Sequence, residues 1–190
     1  MLRKKSFGII KMFVGIMLIF LLTRCDNGIF NTNFYQLGST GPGGGIVFYD
    51  KGNDSNGWRY LEYVLIDQGT RFMWATTSNS IYMDVSTEAN ATVIGTGKRN
   101  TDLILEGDPT APEALACKNY NGGGKIDWFL PSRDELSELL KQRDKAIVWA
   151  WSSSQLGKNQ AIALHYSFKN ATPDGFYKNF SHDVFAIRAF

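Results

Sequence analysis

The folded part of the chain opens with two short runs rich in aromatic and β-branched residues, a composition that predicts β-strands. They are GIVFYD, starting at Gly45, and WRYLEYV, starting at Trp58. Between them lies KGNDSNG, whose glycines, asparagines and aspartate favour a turn. The pattern therefore predicts a β-hairpin.

A later segment has the pattern of a capped amphipathic helix. Ser132 is a favourable N-cap, and Glu135 stands three residues later, which is the arrangement of a capping box. Apolar residues then recur at the i, i+3, i+4 spacing of one helix face, at Leu136, Leu139 and Leu140. Two more helices are predicted, one over TDLILE and one over PEALACKN, where a proline takes the first helical position.

The C-terminal third is richer in strand patterns. AIVWAWSSS, QAIALHYSF and DVFAIRAF predict three closing strands, and KNATPDGFYKN, with its proline and Asp-Gly, predicts a turn-bearing link. Residues 66–93 are irregular, and so long a loop in a compact domain is often functional. The positions of Trp128, between a glycine turn and the capped helix, and of Trp151, on a short strand, predict that both lie in the core.

The N-terminus has the pattern of an export signal. Arg3, Lys4 and Lys5 precede an apolar run of eleven residues, Met12 to Leu22. A helix of that length spans roughly 17 Å, short of the ~30 Å hydrocarbon core, which favours a signal peptide over residues 1–24. An uncleaved anchor helix is the alternative.

Cys25 follows this run directly and resembles a bacterial lipoprotein processing site, in which the cysteine is acylated, for example with palmitate. Arg24 stands where such sites usually carry a small residue. We expect lipidation at Cys25, a tether over 25–40 and one domain over 41–190, in a periplasmic or surface-exposed protein anchored to the lipid bilayer.

Charge and cysteine usage narrow the function. The whole chain carries a formal charge of +2, but without residues 1–24 it keeps 15 basic and 18 acidic residues, a charge of −3. The basic character therefore belongs to the signal peptide, and nucleic-acid binding is not expected. Cys117, the second of two cysteines, has no disulfide partner once Cys25 is acylated, and is interpreted as a buried structural thiol.

Two glycine–lysine segments end like the phosphate loop G-x-x-x-x-G-K-[ST]. In the segment that ends at Gly124 and Lys125, Asn119 takes the place of the first glycine and Ile126 that of the Ser or Thr. GTGKR fails at the same two positions. Nucleotide binding is therefore not expected at either segment.

Other catalytic and metal-binding patterns are incomplete. KGNDSNG matches a calcium loop at three positions, but Gly52 and Tyr63 occupy positions one and twelve, so we interpret it as a turn. Ser181, His182 and Asp183 are triad residue types, but sequence neighbours rarely converge, and triads are defined by geometry. Two histidines and one spare thiol do not form a recognisable zinc pattern. We expect no cofactor, no metal and no enzymatic activity.

Several segments together resemble one family. TGPGGGIVFYDKG, GWRYLE, IGTGKRNT, ACKNYNGGGKIDWFLPSRDEL, WSSS and AIRAF follow one another in the order typical of the C-terminal domain of the Legionella-collagen-like adhesin, which also occurs alone in bacterial lipoproteins. The resemblance covers roughly Gly38 to Phe190 and is most specific from Asp127 to Leu136. It implies an α+β, C-type-lectin-like fold, with two to three helices flanking small antiparallel β-sheets and the termini brought together.

The resemblance implies binding rather than catalysis. The same broad fold includes formylglycine-generating enzymes, which rely on two cysteines late in the domain, and no cysteine follows Cys117 here. The calcium-dependent sugar motifs of true C-type lectins are also missing. We therefore expect an adhesin-type lipoprotein whose domain binds a glycan or protein. The alternative is a structural envelope protein that self-associates and has no small ligand.

In this fold, long loops build the ligand face, which directs attention to residues 66–93 and 169–183. Aromatic rings beside short polar side chains suit sugars and peptides alike. The residues expected at the ligand are Arg71, Trp74, Tyr82, Phe176, Tyr177 and Lys178. The alternative is that these rings fasten the loops to the core.

Overall fold

The computed structural model of this chain describes residues 34–66, 70–76, 89–143, 149–167 and 170–190. The predicted signal peptide, Cys25 and the first part of the predicted tether lie outside these residues. Phe34–Phe190 form one compact unit. Within the described ranges, no helix is long and apolar enough to cross a membrane.

The three predicted helices are confirmed: α1 (Gly97–Gly107), α2 (Pro112–Asn119) and α3 (Arg133–Lys141). The capping box of α3 is formed, because the Glu135 N–H donates to Ser132 Oγ at 3.3 Å and the Ser132 N–H donates to Glu135 Oε2 at 2.7 Å. The leucines of the predicted apolar face are fully buried.

The strands form small antiparallel sheets around these helices. β1 (Ile46–Asp50), β2 (Tyr60–Leu65) and β8 (Phe185–Ala189) make one sheet in that order, and β1 with β2 is the predicted hairpin. A two-stranded sheet pairs β3 (Phe72–Met73) with β7 (Ser181–His182). β4 (Ala150–Gln155), β5 (Gln160–Ser167) and β6 (Asn170–Tyr177) make the third. The described fold is therefore α+β, as expected.

The segment KNATPDGFYKN is a strand over most of its length, and its prediction as a link was wrong. β6 pairs with β5 along all eight of its residues, from Gln160 opposite Tyr177 to Ser167 opposite Asn170. It lies at the edge of its sheet. Edge strands tolerate proline, here Pro173, because one row of their N–H groups points away from the partner strand.

Residues at the two ends of the compact unit meet. The ring of Tyr35 contacts Phe190 at 5.0 Å and Tyr60 at 5.5 Å between centroids, both edge to face. The Gly38 N–H donates to the Val47 carbonyl at 2.8 Å. Residues that the sequence places in the tether therefore pack on the domain, and the folded unit begins at Phe34.

The core contains two apolar clusters that share the sheets. The first surrounds Trp128 and Trp151, both fully buried, so the core assignment of these two tryptophans is confirmed. The second packs the leucine face of α3 against the β1–β2–β8 sheet and against β5. These contacts with two sheets bury the single apolar face of α3.

One buried carboxylate holds the first sheet to the loop that precedes it. Glu62, on β2, has no exposed surface. Its Oε1 accepts from the Gly43 N–H at 2.9 Å and from the Arg188 guanidinium at 3.1 Å, and its Oε2 accepts from the Gly45 N–H at 3.0 Å. A Cβ on Gly43 would lie 2.8 Å from Glu62 Oε1 and 2.7 Å from the Trp128 ring, so glycine is required there by space.

We expect Glu62→Gln to lower the free energy of unfolding by about 3 kcal/mol, because removing one partner of a buried ion pair is strongly destabilising. Its new amide N–H₂ also faces glycine N–H donors. Asp50→Asn is the matched control, since Asp50 pairs with Arg59 at 2.8 Å on the exposed side of the same hairpin. Denaturant unfolding that shows equal, small losses for both variants would contradict the structural role of Glu62.

Candidate functional site

Of the two glycine–lysine segments, the one that includes Gly95 and Gly97 binds a carboxylate of the protein itself, and the other packs against the backbone of a glycine loop. Glu135 Oε1 accepts from the Gly95 N–H at 2.8 Å. A Cβ on Gly97 would collide with Glu135 Oε2. Gly123 lies against the Gly43 backbone, where a Cβ would come within 2.6 Å, and its φ is +61°. These glycines therefore allow close approach between chain segments.

Trp74 is a core residue, and its assignment to an exposed ligand face was wrong. The side chain is fully buried, and its indole N–H donates to the Ser152 carbonyl at 3.0 Å. The ring belongs to the cluster that contains Trp128 and Trp151. A tryptophan between Met and Ala carries no local signal that separates burial from exposure. The long-range contact of Trp74 with β4 in the same chain determines that it is buried.

Lys178 is also buried, which corrects its assignment to the ligand face. Its Nζ donates to Gln155 Oε1 at 2.7 Å and lies 4.3 Å from the centroid of the Trp74 ring. Its main chain is held as well, since the Lys178 carbonyl accepts from the Ala75 N–H at 2.9 Å. Lys178 and Trp74 therefore fasten the segment after β3 to the end of β6, as the alternative interpretation of these loops predicted.

The other predicted ligand residues fall in three different environments. Arg71 is half exposed, and its Nε lies 3.6 Å from Asp183 Oδ1. Phe176 is partly buried against Trp149, with 4.7 Å between the ring centroids. Tyr82 lies outside the described residues. Only Tyr177 is both described and largely exposed as an aromatic ring.

Tyr177 forms an exposed aromatic pair with Phe180, a residue that the sequence reasoning did not single out. The two rings are stacked, with 6.4 Å between centroids and 21° between planes. They are 52% and 51% exposed, although both are large apolar groups. Met73 is 36% exposed. On β3 it lies opposite Ser181, which is the residue after Phe180. We name Met73, Tyr177 and Phe180 the aromatic surface.

The Ser181–His182–Asp183 triplet has no triad geometry. His182 is buried among rings, 4.4 Å from Trp151 and 4.7 Å from Phe176 between centroids, and its Nε2 has no hydrogen-bond partner among the described residues. Burial lowers the pKa of His182 to about 4, with a smaller contribution from Arg71. A histidine that stays neutral in an apolar cluster is a structural residue, as the sequence favoured.

Buried ionisable groups on α2 form no recognisable catalytic or metal site. Cys117 is a free, buried thiol, as predicted; burial raises its pKa well above the ordinary range, which disfavours the reactive thiolate. Burial also raises the pKa of Glu113 and favours its uncharged form. In the described part of the chain, no group of three or more potential ligands is placed to hold a metal ion.

A separate cavity of about 330 Å³ opens beside the turn of the β1–β2 hairpin. Its walls come from that turn with the start of β2, from the start of α1, from the segment before α3, from the first turn of α3 and from the end of β8. They combine apolar side chains with polar ones: Asn56, Trp58, Leu61, Lys98, Asp127, Phe129, Glu135 and Ala189. Sequence reasoning did not find this cavity, because its residues come from five separate segments.

Comparisons with known proteins leave the family open. No family model matches the sequence, and no curated protein matches it. Among solved structures, a fimbrial protein from Bacteroides ovatus is similar over 69% of this chain and 35% of its own length, at 15% identity and a TM-score of 0.42. The chain therefore spans about a third of that protein, and a likeness at this level supports neither a shared family nor a shared function.

We expect the stability of the wild-type protein relative to that of His182→Phe to fall as the pH falls from about 6.5 towards 4, because His182 binds a proton readily when unfolded but resists it in the folded core. The contribution of His182 is complete above its unfolded pKa of about 6.5 and is lost as the pH falls. When the melting temperature is plotted against pH across this range, the acid limb, which is the part of the curve below pH 6.5, should be flatter for His182→Phe than for the wild type.

The second histidine of the chain supplies the control. His165 lies half-buried on β5 against Trp149, at 5.2 Å between centroids. His165→Gln is measured in parallel, so that the loss of the buried histidine is compared with the loss of a half-buried one. An identical limb in wild type and His182→Phe would contradict the assignment.

Proposed function

We propose that this protein is a lipid-anchored component of a bacterial cell envelope, and that its Phe34–Phe190 unit is a C-type-lectin-like, non-catalytic domain that binds a glycan or a protein. Cys25 carries the lipid, which places the domain at the periplasmic or outer face of a membrane. Nucleic acid is not a partner, since the chain after residue 24 has a formal charge of −3.

The aromatic surface is the observation that carries this proposal. Isolated exposed apolar residues are ordinary, but two stacked rings that are each half exposed leave flat apolar area in water. Phe180 also contacts Phe176 at 6.2 Å between centroids, so the pair rests on a ring anchored in the core. A rigid aromatic platform beside short polar side chains, here Asn179 and Ser181, suits stacking together with hydrogen bonding.

The arrangement of the chain supports the lectin-like fold. Its described part combines three helices with small antiparallel sheets, and the two ends of the compact unit meet at Tyr35 and Phe190. Fold by itself does not define a ligand.

The alternative function is structural, with the domain self-associating in the envelope and binding no small ligand. The aromatic surface serves that function too, because apolar rings also join copies of one chain. The two functions require different partners. A ligand-binding domain remains monomeric and captures a glycan or another protein, whereas a structural domain associates with copies of itself.

We expect replacement of both rings, Tyr177→Ala with Phe180→Ala, to reduce capture of ligand at least about tenfold, as for a pair of interface aromatic residues. The measurement is binding of the purified protein to a glycan array and to immobilised extracellular-matrix proteins. The free energy of unfolding should change by less than about 1 kcal/mol per site, because the rings are surface residues.

Ile126→Ala is the matched control, since Ile126 is 82% exposed and lies outside the aromatic surface. It should bind as the wild type does. Undiminished capture by the double variant would refute the aromatic surface as the site. Wild-type protein that sediments as an oligomer, with the double variant monomeric and no captured ligand, would establish the structural alternative.

We expect Cys25→Ser to abolish lipid attachment. Cells fed an alkyne analogue of palmitate should label the wild-type protein, while the Cys25→Ser variant stays unlabelled and leaves the membrane fraction. Cys117→Ser, which changes only the buried thiol, should label normally. Equal labelling of wild type and Cys25→Ser would show that residues 1–24 are not followed by a lipoprotein site.

A further inference from the structure

The cavity beside the β1–β2 turn has the size and lining of a small-molecule site. Its volume of about 330 Å³ lies at the lower end of the roughly 300–1,000 Å³ range of ligand pockets. At about 30 Å³ per water, it holds roughly eleven waters, or one six-membered ring with its substituents. Leu61, Phe129 and Ala189 contribute apolar walls.

Three polar side chains around the cavity retain hydrogen-bonding capacity. Lys98, in the first turn of α1, makes no ion pair or side-chain hydrogen bond with the described residues, and the same holds for the Asn56 amide. Asp127 uses Oδ1 to accept from Arg188 Nε at 2.5 Å, which leaves Oδ2 for another donor. Donors and acceptors are therefore both available beside the apolar walls.

The backbone at Asn56 is held in an unfavourable region. With φ of +57°, Asn56 is the only non-glycine residue at positive φ in the described ranges. Asparagine tolerates this region better than most residues, but glycine has no such cost, and Gly57 follows directly. This conformation directs the turn at the mouth of the hairpin, and Asn56 lines the cavity there.

The charges around the cavity nearly cancel. Lys98 contributes one positive charge, and the Asp127 carboxylate is already paired with Arg188. Glu135 lies at the base, and burial raises its pKa to about 7, so this carboxyl is only partly ionised near neutral pH. The Asp127 and Glu135 carboxyl groups repel a strongly anionic ligand, and Lys98 repels a cation, so neither kind of ligand is favoured.

A ligand with several hydroxyl groups satisfies this mixture, because each hydroxyl donates one hydrogen bond and accepts others. Its C–H groups pack against Trp58 and Phe129, while its hydroxyls reach Lys98, Asn56 and Asp127. We propose that this cavity is a second binding site, distinct from the aromatic surface, for a small neutral polyhydroxylated ligand of the size of one sugar ring.

The test follows the indole of Trp58 in the full-length protein. The chain has five tryptophans, and 5-fluorotryptophan labelling gives each one a separate ¹⁹F resonance, with Trp58 assigned from Trp58→Phe. The protein is kept in a detergent without a sugar head group. Glucose, galactose, mannose, fucose and N-acetylglucosamine are added in turn, followed by glycine and serine as zwitterionic controls.

We expect at least one of the sugars to shift the Trp58 resonance saturably, with a Kd of about millimolar, as is usual for a ligand of so few atoms. Lys98→Met should weaken this binding about tenfold, because it removes one charged hydrogen-bond donor. Arg99→Met is the matched control: Arg99 is the next residue of α1 and pairs with Glu106 at 3.3 Å away from the cavity. It should bind as the wild type does.

Three results would overturn the proposal. They are a Trp58 resonance that no sugar moves, a resonance that moves with glycine or serine instead, and sugar binding that Lys98→Met leaves unchanged. The double variant Tyr177→Ala, Phe180→Ala separates this site from the aromatic surface. Its Trp58 response should be that of the wild type, whether or not the aromatic surface binds a ligand.

Discussion

The burial of the Glu62 carboxylate is the constraint on which the first sheet depends. A charge without solvent is stable only when donors surround it, and here two glycine N–H groups and the Arg188 guanidinium do so. Arg188 lies on β8, near the C-terminus, and the glycines lie near the start of the compact unit. One carboxylate thereby joins the two ends of the domain, which also meet through Tyr35 and Phe190.

A buried carboxyl group joins two segments of the chain in the same way at Glu135. The carboxyl caps α3 and accepts from the loop that leads into α1, so both helices begin at one place. Anion-binding turns of this kind usually serve phosphates, since successive N–H groups create a positive concavity. In this protein the glycine N–H groups bind the side chains of Glu62 and Glu135 instead. The cavity with Lys98 and Trp58 opens beside Glu135.

Burial separates the aromatic residues into two groups. Trp74, Trp128 and Trp151 fill the core, and Lys178 lies over the Trp74 ring while bonded to Gln155. Tyr177 alternates with Phe176 along β6, so one ring packs inward and the next remains in solvent. The turn that follows adds Phe180 to the exposed side, and the aromatic surface results from this alternation at a sheet edge.

The sequence by itself determined the elements whose signals are local. The Ser132–Glu135 box, the leucine spacing of α3, Pro112 at the start of α2 and the turn-rich loop of the hairpin depend on neighbours within a few residues, and the structure has all four. Only the tertiary structure decided that the segment around Pro173 is an edge strand, that Trp74 and Lys178 are buried, and that Phe180 is exposed. It also decided that the glycines bind Glu62 and Glu135, because those contacts join segments 17 to 40 residues apart and no local pattern encodes their partners.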